Sequence, residues 1–284
     1  MRLQGCIEVE ELKLKKVFYI SVALLLLDLF PVLLYAGIGV TPTVTEIQLS
    51  PRKRETGILT VANDGDKATK VKVELENWGK GTEEVGVDSW LRVEPLEFEI
   101  GAGETKEVKY EIEVPEKAKG ELVVMVFFGS LASAGGGVGI RTRFGVSIYV
   151  AIKGTEAVEA NIEKLDVAKY SGENSDNYGI NFGVTVGNMG NVHIRPKGRV
   201  VIEEKEGSGI KEVDILHGLP VLPQGKRTFA AIWKKGVLSP GDYVAKATIS
   251  YGELYGLKDK ICSYETLFSV NEQGEISIKG REND

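Results

Sequence analysis

A seven-residue phrase occurs twice in this chain, as TVANDGD at residues 60–66 and as TVGNMGN at residues 185–191, 125 residues apart. In both copies an alternating apolar run ends in Asn-x-Gly, residue types that tolerate the positive φ of tight hairpin turns. Two further pairs follow in the same order: GETK at 103–106 with PQGK at 223–226, and GEL at 120–122 with GDY at 241–243. Echoes separated by about one Ig-sized domain predict two copies of one β-sandwich rather than a single large enzyme fold.

Apolar and polar residues alternate along most of the chain after residue 36, and no stretch there has the 3.6-residue apolar stripe of a helix. In the first half, Val71, Val73 and Leu75 alternate with lysine and glutamate. In the second half, the same pattern runs from Tyr243 to Tyr251. Short strands of this kind, separated by turns rich in Gly, Pro and Asn, predict an all-β chain.

The first 36 residues have the features of a secretory signal. Three lysines (Lys13, Lys15 and Lys16) precede an apolar run, and a second apolar stretch ends at the small residue Ala36. This order is typical of a signal peptide. An uncleaved N-terminal anchor helix is the alternative, because residues 17–36 are about long enough to cross a bilayer.

Charge and cysteine content narrow the class of protein. Residues 1–36 carry four basic and four acidic side chains, so the rest of the chain keeps the net charge of −6. That mild acidity gives no electrostatic reason to expect nucleic acid as a partner. Cys6 would leave with the signal, and Cys262 would then be the only cysteine. An exported chain with one thiol has no internal disulfide and must be held by its cores.

These patterns divide the chain into four parts. Residues 1–36 are a signal peptide or anchor, residues 37–153 a first Ig-like sandwich, and residues 154–270 a second Ig-like sandwich. Residues 271–284 form a polar tail, which we expect to be frayed. The predicted fold class is all-β, with two tandem Ig-like antiparallel β-sandwiches after an N-terminal signal or anchor helix.

Residues 129–152 carry the sharpest functional implication. A loop of small residues, 129–137, precedes a long alternating strand, and such a strand at a sheet edge could accept a strand from a partner. The residues predicted to bind the partner strand are Val138, Ile140, Thr142, Phe144, Val146 and Ile148. Arg141 and Arg143, on the other face, are candidate basic contacts. The alternative is that this is simply the last strand of the sandwich, with its arginines in water.

The order of several segments resembles the N-terminal domain of PapD-like periplasmic pilus chaperones. The segments that carry the resemblance are VTP at 40–42, IQLSP at 47–51, GILTVAN at 57–63, WLRVEP at 90–95 and the long final strand. The tandem arrangement, with GNMGNVHIRP at 187–196 opening the second domain, is similar to the WxL-interacting surface proteins. The resemblance implies an Ig-like fold in a bacterial or archaeal cell-surface protein.

Two departures from these families limit what the resemblance implies about mechanism. Pilus chaperones carry a paired Arg and Lys in the cleft between their domains that grip the client's terminal carboxylate. This chain has Arg52, Lys53 and Arg54 early and Arg141 and Arg143 late, and none of them aligns with that pair. WxL-interacting proteins usually end in a membrane span, whereas no apolar segment follows residue 270 in this chain.

Few residues in the sequence indicate reactive chemistry. Neither histidine, His193 or His217, stands near a cysteine or in a metal-ligand spacing, so we expect each to be an isolated packing or solvated side chain. Residues 101–106 lack the Gly-Lys-Ser/Thr ending of a phosphate loop and are interpreted as a hairpin turn. We therefore expect no enzyme activity, no cofactor and no metal. A cavity that gathers either histidine with acidic side chains would contradict the expectation that no reactive centre exists.

The tryptophans offer a further possibility. Trp90 and Trp233 stand within apolar patterns and are expected in the cores, whereas Trp78 lies beside glycines in a loop and is the better candidate for an exposed contact. Such a contact would suit an enzyme-accessory or carbohydrate-binding protein, which is the least favoured of three functional hypotheses.

The main functional hypothesis is a non-enzymatic, extracytoplasmic protein of the cell envelope that binds another protein or the cell wall through its sandwiches. The alternative is a periplasmic-type assembly chaperone that holds pilin-like subunits by β-strand addition. In either case the expected partner is a protein or a cell-wall component, and a membrane contact would occur only through residues 17–36 if these stay attached.

Overall fold

The computed structural model describes residues 37–280 except 80–85, 131–141, 172–177, 207–208, 216–217, 235 and 237. The described residues of the first half form the strands β1 (Ile38–Thr41), β2 (Val44–Leu49), β3 (Arg54–Asn63), β4 (Thr69–Asn77), β5 (Leu91–Glu94), β6 (Glu97–Ile100), β7 (Thr105–Glu113), β8 (Glu121–Ser130) and β9 (Arg143–Ile152). Those of the second half form β10 (Ala160–Ser171), β11 (Tyr178–Asn188), β12 (Lys197–Glu204), β13 (Ile210–Asp214), β14 (Lys226–Trp233), β15 (Gly241–Ser250), β16 (Ile261–Val270) and β17 (Ile276–Gly280).

The first sandwich consists of a four-stranded sheet in the order β1-β3-β7-β5 and a five-stranded sheet in the order β2-β9-β8-β4-β6. Its strand pairs are antiparallel except for β2 and β9, which run parallel with Val44 opposite Ser147 and Leu49 opposite Ile152. Between β1 and β2 the chain therefore passes from the edge of one sheet to the edge of the other. β1 pairs only with residues 60–63 of β3, and β2 pairs only with residues 147–152 of β9, so each covers part of the strand beside it.

The second sandwich consists of a three-stranded sheet, β10-β11-β14, and a five-stranded sheet, β13-β12-β15-β16-β17, all antiparallel. Inward-facing residues of the two sheets meet in the core, where Tyr243 stacks on Phe268 with ring centroids 5.4 Å apart. Phe182 meets the same Phe268 edge to face at 6.3 Å. Period-two alternation produces this arrangement, because alternate side chains of each strand point into the space between the sheets.

The buried apolar residues form two clusters, one for each half of the chain. The first extends from Ile38 to Ile152, and the second contains Ala151 together with residues from Val158 to Val270. Trp90 lies in the first cluster and Trp233 in the second, whereas the side chain of Trp78 is 46 % exposed. The prediction of an all-β chain with two tandem Ig-like sandwiches is confirmed, with one parallel strand pair as the departure from a purely antiparallel arrangement.

The repeated Asn-x-Gly phrase has the same structural role in both sandwiches. The amide nitrogen of Asn63 donates hydrogen bonds to the carbonyl oxygens of Lys67, Ile100 and Gly101, and its Oδ1 accepts one from the backbone N–H of Gly65. Asn188 does the same, donating to the carbonyl oxygens of Val192 and Val221 and accepting from the N–H of Gly190. Both asparagines are buried, at 2 % and 3 % exposure. Each holds together loops that come from different parts of the chain.

The expectation that these glycines supply positive φ is wrong. Neither Gly65 nor Gly190 has a positive φ. A Cβ on Gly190 would lie 2.1 Å from the carbonyl oxygen of Ala157, so glycine is required there by the close approach of two backbone segments. The side chain of the asparagine, rather than the backbone freedom of the glycine, forms the turn.

Two further expectations concern the ends of the chain. The predicted signal or anchor helix in residues 1–36 lies outside the described residues. The tail is not frayed over residues 276–280, which form β17 and pair with β16. Alternating Ile276 and Ile278 within a polar sequence explain this added edge strand, since partly buried Ile276 packs against the second core.

Candidate functional site

The residues predicted to bind a partner strand fall into three groups. Val138 and Ile140 lie outside the described residues, as does Arg141, which is instead a candidate basic contact. Thr142 is exposed just before β9, and Phe144 is half-buried against the first core. The remaining two, Val146 and Ile148, have no exposed surface and belong to that core. Their side chains therefore serve the protein's own sandwich, and β9 offers a partner mainly its main chain.

Among the described residues, no strand pairs with the first four residues of β9 on the side that faces β2. Its pairing with β8 extends from Arg143 to Ala151, whereas its pairing with β2 begins only at Ser147. The N–H of Ser147 donates to the carbonyl oxygen of Thr43, and the N–H of Lys153 donates to that of Leu49. Odd-numbered residues of β9 thus direct their backbone groups toward the β2 side. The N–H and C=O groups of Arg143 and Gly145 point to the part of this edge that β2 does not cover.

Arg143, a candidate basic contact, is held on the outer face of the sheet. Its guanidinium lies 3.5 Å from the ring centroid of Phe127 and forms ion pairs with Glu76 at 2.6 Å and Glu74 at 3.4 Å. The hydrogen bond from Arg143, assisted by one from Trp78, lowers the pKa of the Glu76 carboxyl. Because the charge of Arg143 is balanced within its own sheet, it is not a free anchor for an anionic partner.

A second group of polar residues lies between the two sandwiches, and we call it the junction cluster. It consists of Glu46 on β2, Glu121 at the start of β8, His193 and Arg195 after the second Asn-x-Gly turn, and Tyr255 after β15. Glu121 and His193 are almost completely buried, at 1 % and 2 % exposure. A cavity of about 160 Å³ adjoins them.

Hydrogen bonds connect the members of the junction cluster in a chain. His193 Nδ1 lies 2.6 Å from Glu121 Oε1, and His193 Nε2 lies 3.2 Å from Glu46 Oε1. The backbone N–H of His193 donates to Glu121 Oε2, while Arg195 Nε donates to Glu46. Tyr255 donates its hydroxyl proton to the carbonyl oxygen of His193, and the ring of Tyr149 contacts the imidazole at a 35° tilt, with the ring centroids 4.3 Å apart.

The interpretation of His193 as an isolated side chain is therefore wrong. Two carboxylates face its two ring nitrogens, so no nitrogen lone pair remains free to act as a general base toward a substrate. The cavity gathers a histidine with two acidic side chains, so the observation named above as contradicting the expectation of no reactive centre is present in the structure. The arrangement is a hydrogen-bonded cluster in which both ring nitrogens already face a carboxylate. Whether the protein has enzyme activity stays a separate prediction.

Sequence reasoning missed this cluster because its members are far apart along the chain. Glu46 and Glu121 precede His193 by 147 and 72 residues, and no short motif connects them. One local signal existed: Glu121 directly precedes the continuously apolar run of residues 122–128. An acidic residue that enters a strand covered on both faces must find a charged partner.

Two further observations concern the described part of the chain. No group of three or more His, Cys, Asp or Glu side chains there has a geometry that could hold a metal ion. No helix among the same residues has the length and hydropathy that a membrane crossing requires.

Comparison with known proteins shows similarity in fold. No family model and no curated protein matches the sequence. Among solved structures, the class 5 fimbriae chaperone CfaA matches with 15 % identity and a TM-score of 0.43, over 81 % of this chain and 98 % of that one. The E. coli chaperone DraB matches with 10 % identity and a TM-score of 0.39, over 81 % and 97 %. The Salmonella enterica SafA pilin–SafB chaperone complex matches with 10 % identity and a TM-score of 0.39, over 81 % and 96 %.

The chain thus resembles PapD-like fimbrial chaperones in its Ig-like architecture, as the order of its segments predicts. The main functional hypothesis, an envelope protein that binds another protein or the cell wall, is corrected by these matches, because the matching structures are those of fimbrial chaperones.

Proposed function

We propose that this protein is an extracytoplasmic assembly chaperone that holds an incomplete β-sandwich subunit by strand addition at β9. The observation that carries the proposal is the edge of β9 before Ser147, where no strand among the described residues pairs with the backbone groups of Arg143 and Gly145 on the β2 side. A strand from a client would pair with these groups and extend the five-stranded sheet beyond β9.

The side chains at this edge are compatible with an added strand. Phe144 is half-buried although Val146, the next residue on the same face, is fully buried. The missing neighbour at the edge accounts for this difference, and an apolar side chain on a client strand would cover the exposed part of Phe144. On the opposite face Gly145 has no side chain, and Met125 and Phe127 occupy the space beside it.

The proposed client contact does not include a carboxylate grip between the sandwiches. The position between the domains is occupied by the junction cluster, in which Glu46 and Glu121 balance His193 and Arg195. Arg52 is exposed and pairs with Glu116. The proposal therefore assigns client affinity to main-chain pairing at β9 and differs on this point from what the family resemblance implies.

The proposal is tested by removing one donor from the open edge. Gly145→Pro deletes the N–H that points outward, whereas Gly145→Ala adds a Cβ at the same place and keeps the N–H. In both variants the Cβ meets the terminal methyl of Met125 at 2.8 Å and the ring of Phe127 at 2.9 Å, so the alanine variant controls for this crowding. We expect the proline variant to bind the client about tenfold more weakly or worse, and the alanine variant to bind within about threefold of the parent.

The measurement is co-expression with each pilin-like subunit gene of the same genome, followed by affinity purification and titration of the recovered pair. Amide hydrogen exchange should show new protection at Arg143 and Gly145 in the complex and none in the free protein. Recovery of no subunit, or equal binding by the proline and alanine variants, would contradict strand addition at β9.

A further inference from the structure

The junction cluster has a charge balance that depends on one proton. Glu46 and Glu121 contribute two negative charges, Arg195 contributes one positive charge, and the imidazolium of His193 contributes the second. Neutral histidine has one N–H and one lone pair, so one ring nitrogen would direct its lone pair at a carboxylate oxygen. Only the imidazolium can donate to Glu121 at 2.6 Å and to Glu46 at 3.2 Å at the same time.

The cluster connects the two sandwiches directly. Glu46 and Glu121 belong to strands of the first sandwich, whereas His193, Arg195 and Tyr255 belong to the second half of the chain. We propose that the junction cluster is a pH-dependent latch between the two sandwiches, closed while His193 is an imidazolium and loosened when His193 loses its proton. This inference is independent of client binding at β9.

The direction of the pH dependence follows from the groups around the imidazole. Burial lowers the pKa of His193, but hydrogen bonds and charge interactions with Glu121 and Glu46 raise it by more, so that it lies above its ordinary value of 6.5. A raised histidine pKa stabilises the closed junction fully below 6.5, and this stabilisation is lost as the pH rises through the raised value. The hydrogen bond from His193 lowers the pKa of Glu46 to about 2, so mild acid leaves its carboxylate charged.

The other titratable groups around His193 do not change this direction. Burial raises the pKa of Tyr149, which contacts the imidazole, and of Tyr255, which donates to the His193 carbonyl. Both tyrosines therefore stay neutral at the pH values where the histidine loses its proton. Glu156 and Arg195 act on Tyr255 through their charges, the first raising and the second lowering its pKa.

Uncharged contacts between the sandwiches remain when the latch loosens. Gln48 on β2 donates to the carbonyl oxygen of Leu254, and the N–H of Gly120 donates to Thr155 Oγ1. These bonds involve no titratable group. We therefore expect a change in the relative orientation of the sandwiches rather than their separation.

The test follows the His193 imidazole by NMR in a His217→Gln background, where it is the only histidine of the chain. The midpoint of its titration is compared with the relative orientation of the sandwiches, measured by residual dipolar couplings from pH 6 to 10. We expect a midpoint above 6.5 and an orientation change that occurs over the same pH interval. In Glu46→Gln the midpoint should fall by about one pH unit, since one of the two carboxylates is gone.

His193→Gln should remove the pH dependence of the orientation, and amide exchange of Leu59 and Phe182 will show whether both cores stay folded in each variant. Glu46→Gln keeps the proposal falsifiable if His193→Gln fails to fold, because the Glu46 side chain is 31 % exposed. A midpoint at or below 6.5, an unchanged midpoint in Glu46→Gln, or an orientation that is constant through the midpoint would each overturn the latch.

Discussion

Asn188→Ala is expected to lower the free energy of unfolding of the second sandwich by about 3 kcal/mol. The substitution removes three hydrogen bonds and leaves the carbonyl oxygens of Val192 and Val221 and the N–H of Gly190 without their partner. Each buried group left unpaired costs about 1–3 kcal/mol, reduced where water can enter. Urea unfolding combined with amide hydrogen exchange at Phe182 and Val184 measures the effect in this sandwich.

The first sandwich provides a matched experiment. Asn63→Ala removes the equivalent bonds to Lys67, Ile100 and Gly101, so it should destabilise the amides of Leu59 and Val108 instead. Asn271→Ala is the control, because Asn271 forms a similar turn by accepting from the N–H groups of Gln273 and Glu275 at an exposed position. Its effect should stay within about 0.5 kcal/mol. A loss below about 1 kcal/mol for both buried asparagines would show that the repeated phrase does not stabilise the sandwiches.

The strands could be predicted from the sequence because alternation is a local signal. Val71 and Val73 on β4, and Tyr243 and Ala245 on β15, are buried at every second position. Each such run identifies a strand and its inward face without knowledge of its neighbours. The equivalence of Asn63 and Asn188 is also visible in the sequence, as the repeated Asn-x-Gly phrase. The positive φ expected of its glycines is wrong, because neither Gly65 nor Gly190 has one.

The candidate sites depend on relations that no local pattern records. The open edge of β9 exists because β2 begins to pair at Ser147, and this register is set by the passage of the chain between the two sheets. The junction cluster brings Glu46, Glu121 and His193 together only after both sandwiches have formed. The residue type also makes a buried position for Glu121 hard to predict, because Glu is almost never fully buried unless it is paired.

Glu121→Ala is expected to lower the free energy of unfolding by about 3–5 kcal/mol at pH 6, below the ordinary histidine pKa of 6.5. The substitution leaves the imidazolium of His193 without its shorter ion pair and the backbone N–H of His193 without an acceptor. The lost partner is itself 1 % exposed, so water cannot readily replace the carboxylate. Urea unfolding at pH 6 measures the loss, and Glu121→Gln, which keeps an oxygen acceptor, should lose less.

An exposed ion pair of the same chain shows whether burial is the cause. Arg199 pairs with Glu212 at 2.9 Å, and their side chains are 59 % and 52 % exposed. Glu212→Ala should therefore cost less than about 1 kcal/mol, and its effect should decrease further in about 1 M salt, whereas that of Glu121→Ala should persist. Equal losses for the two variants would mean that the junction cluster contributes no more than a surface pair, and the charge balance around His193 would then not hold the two sandwiches together.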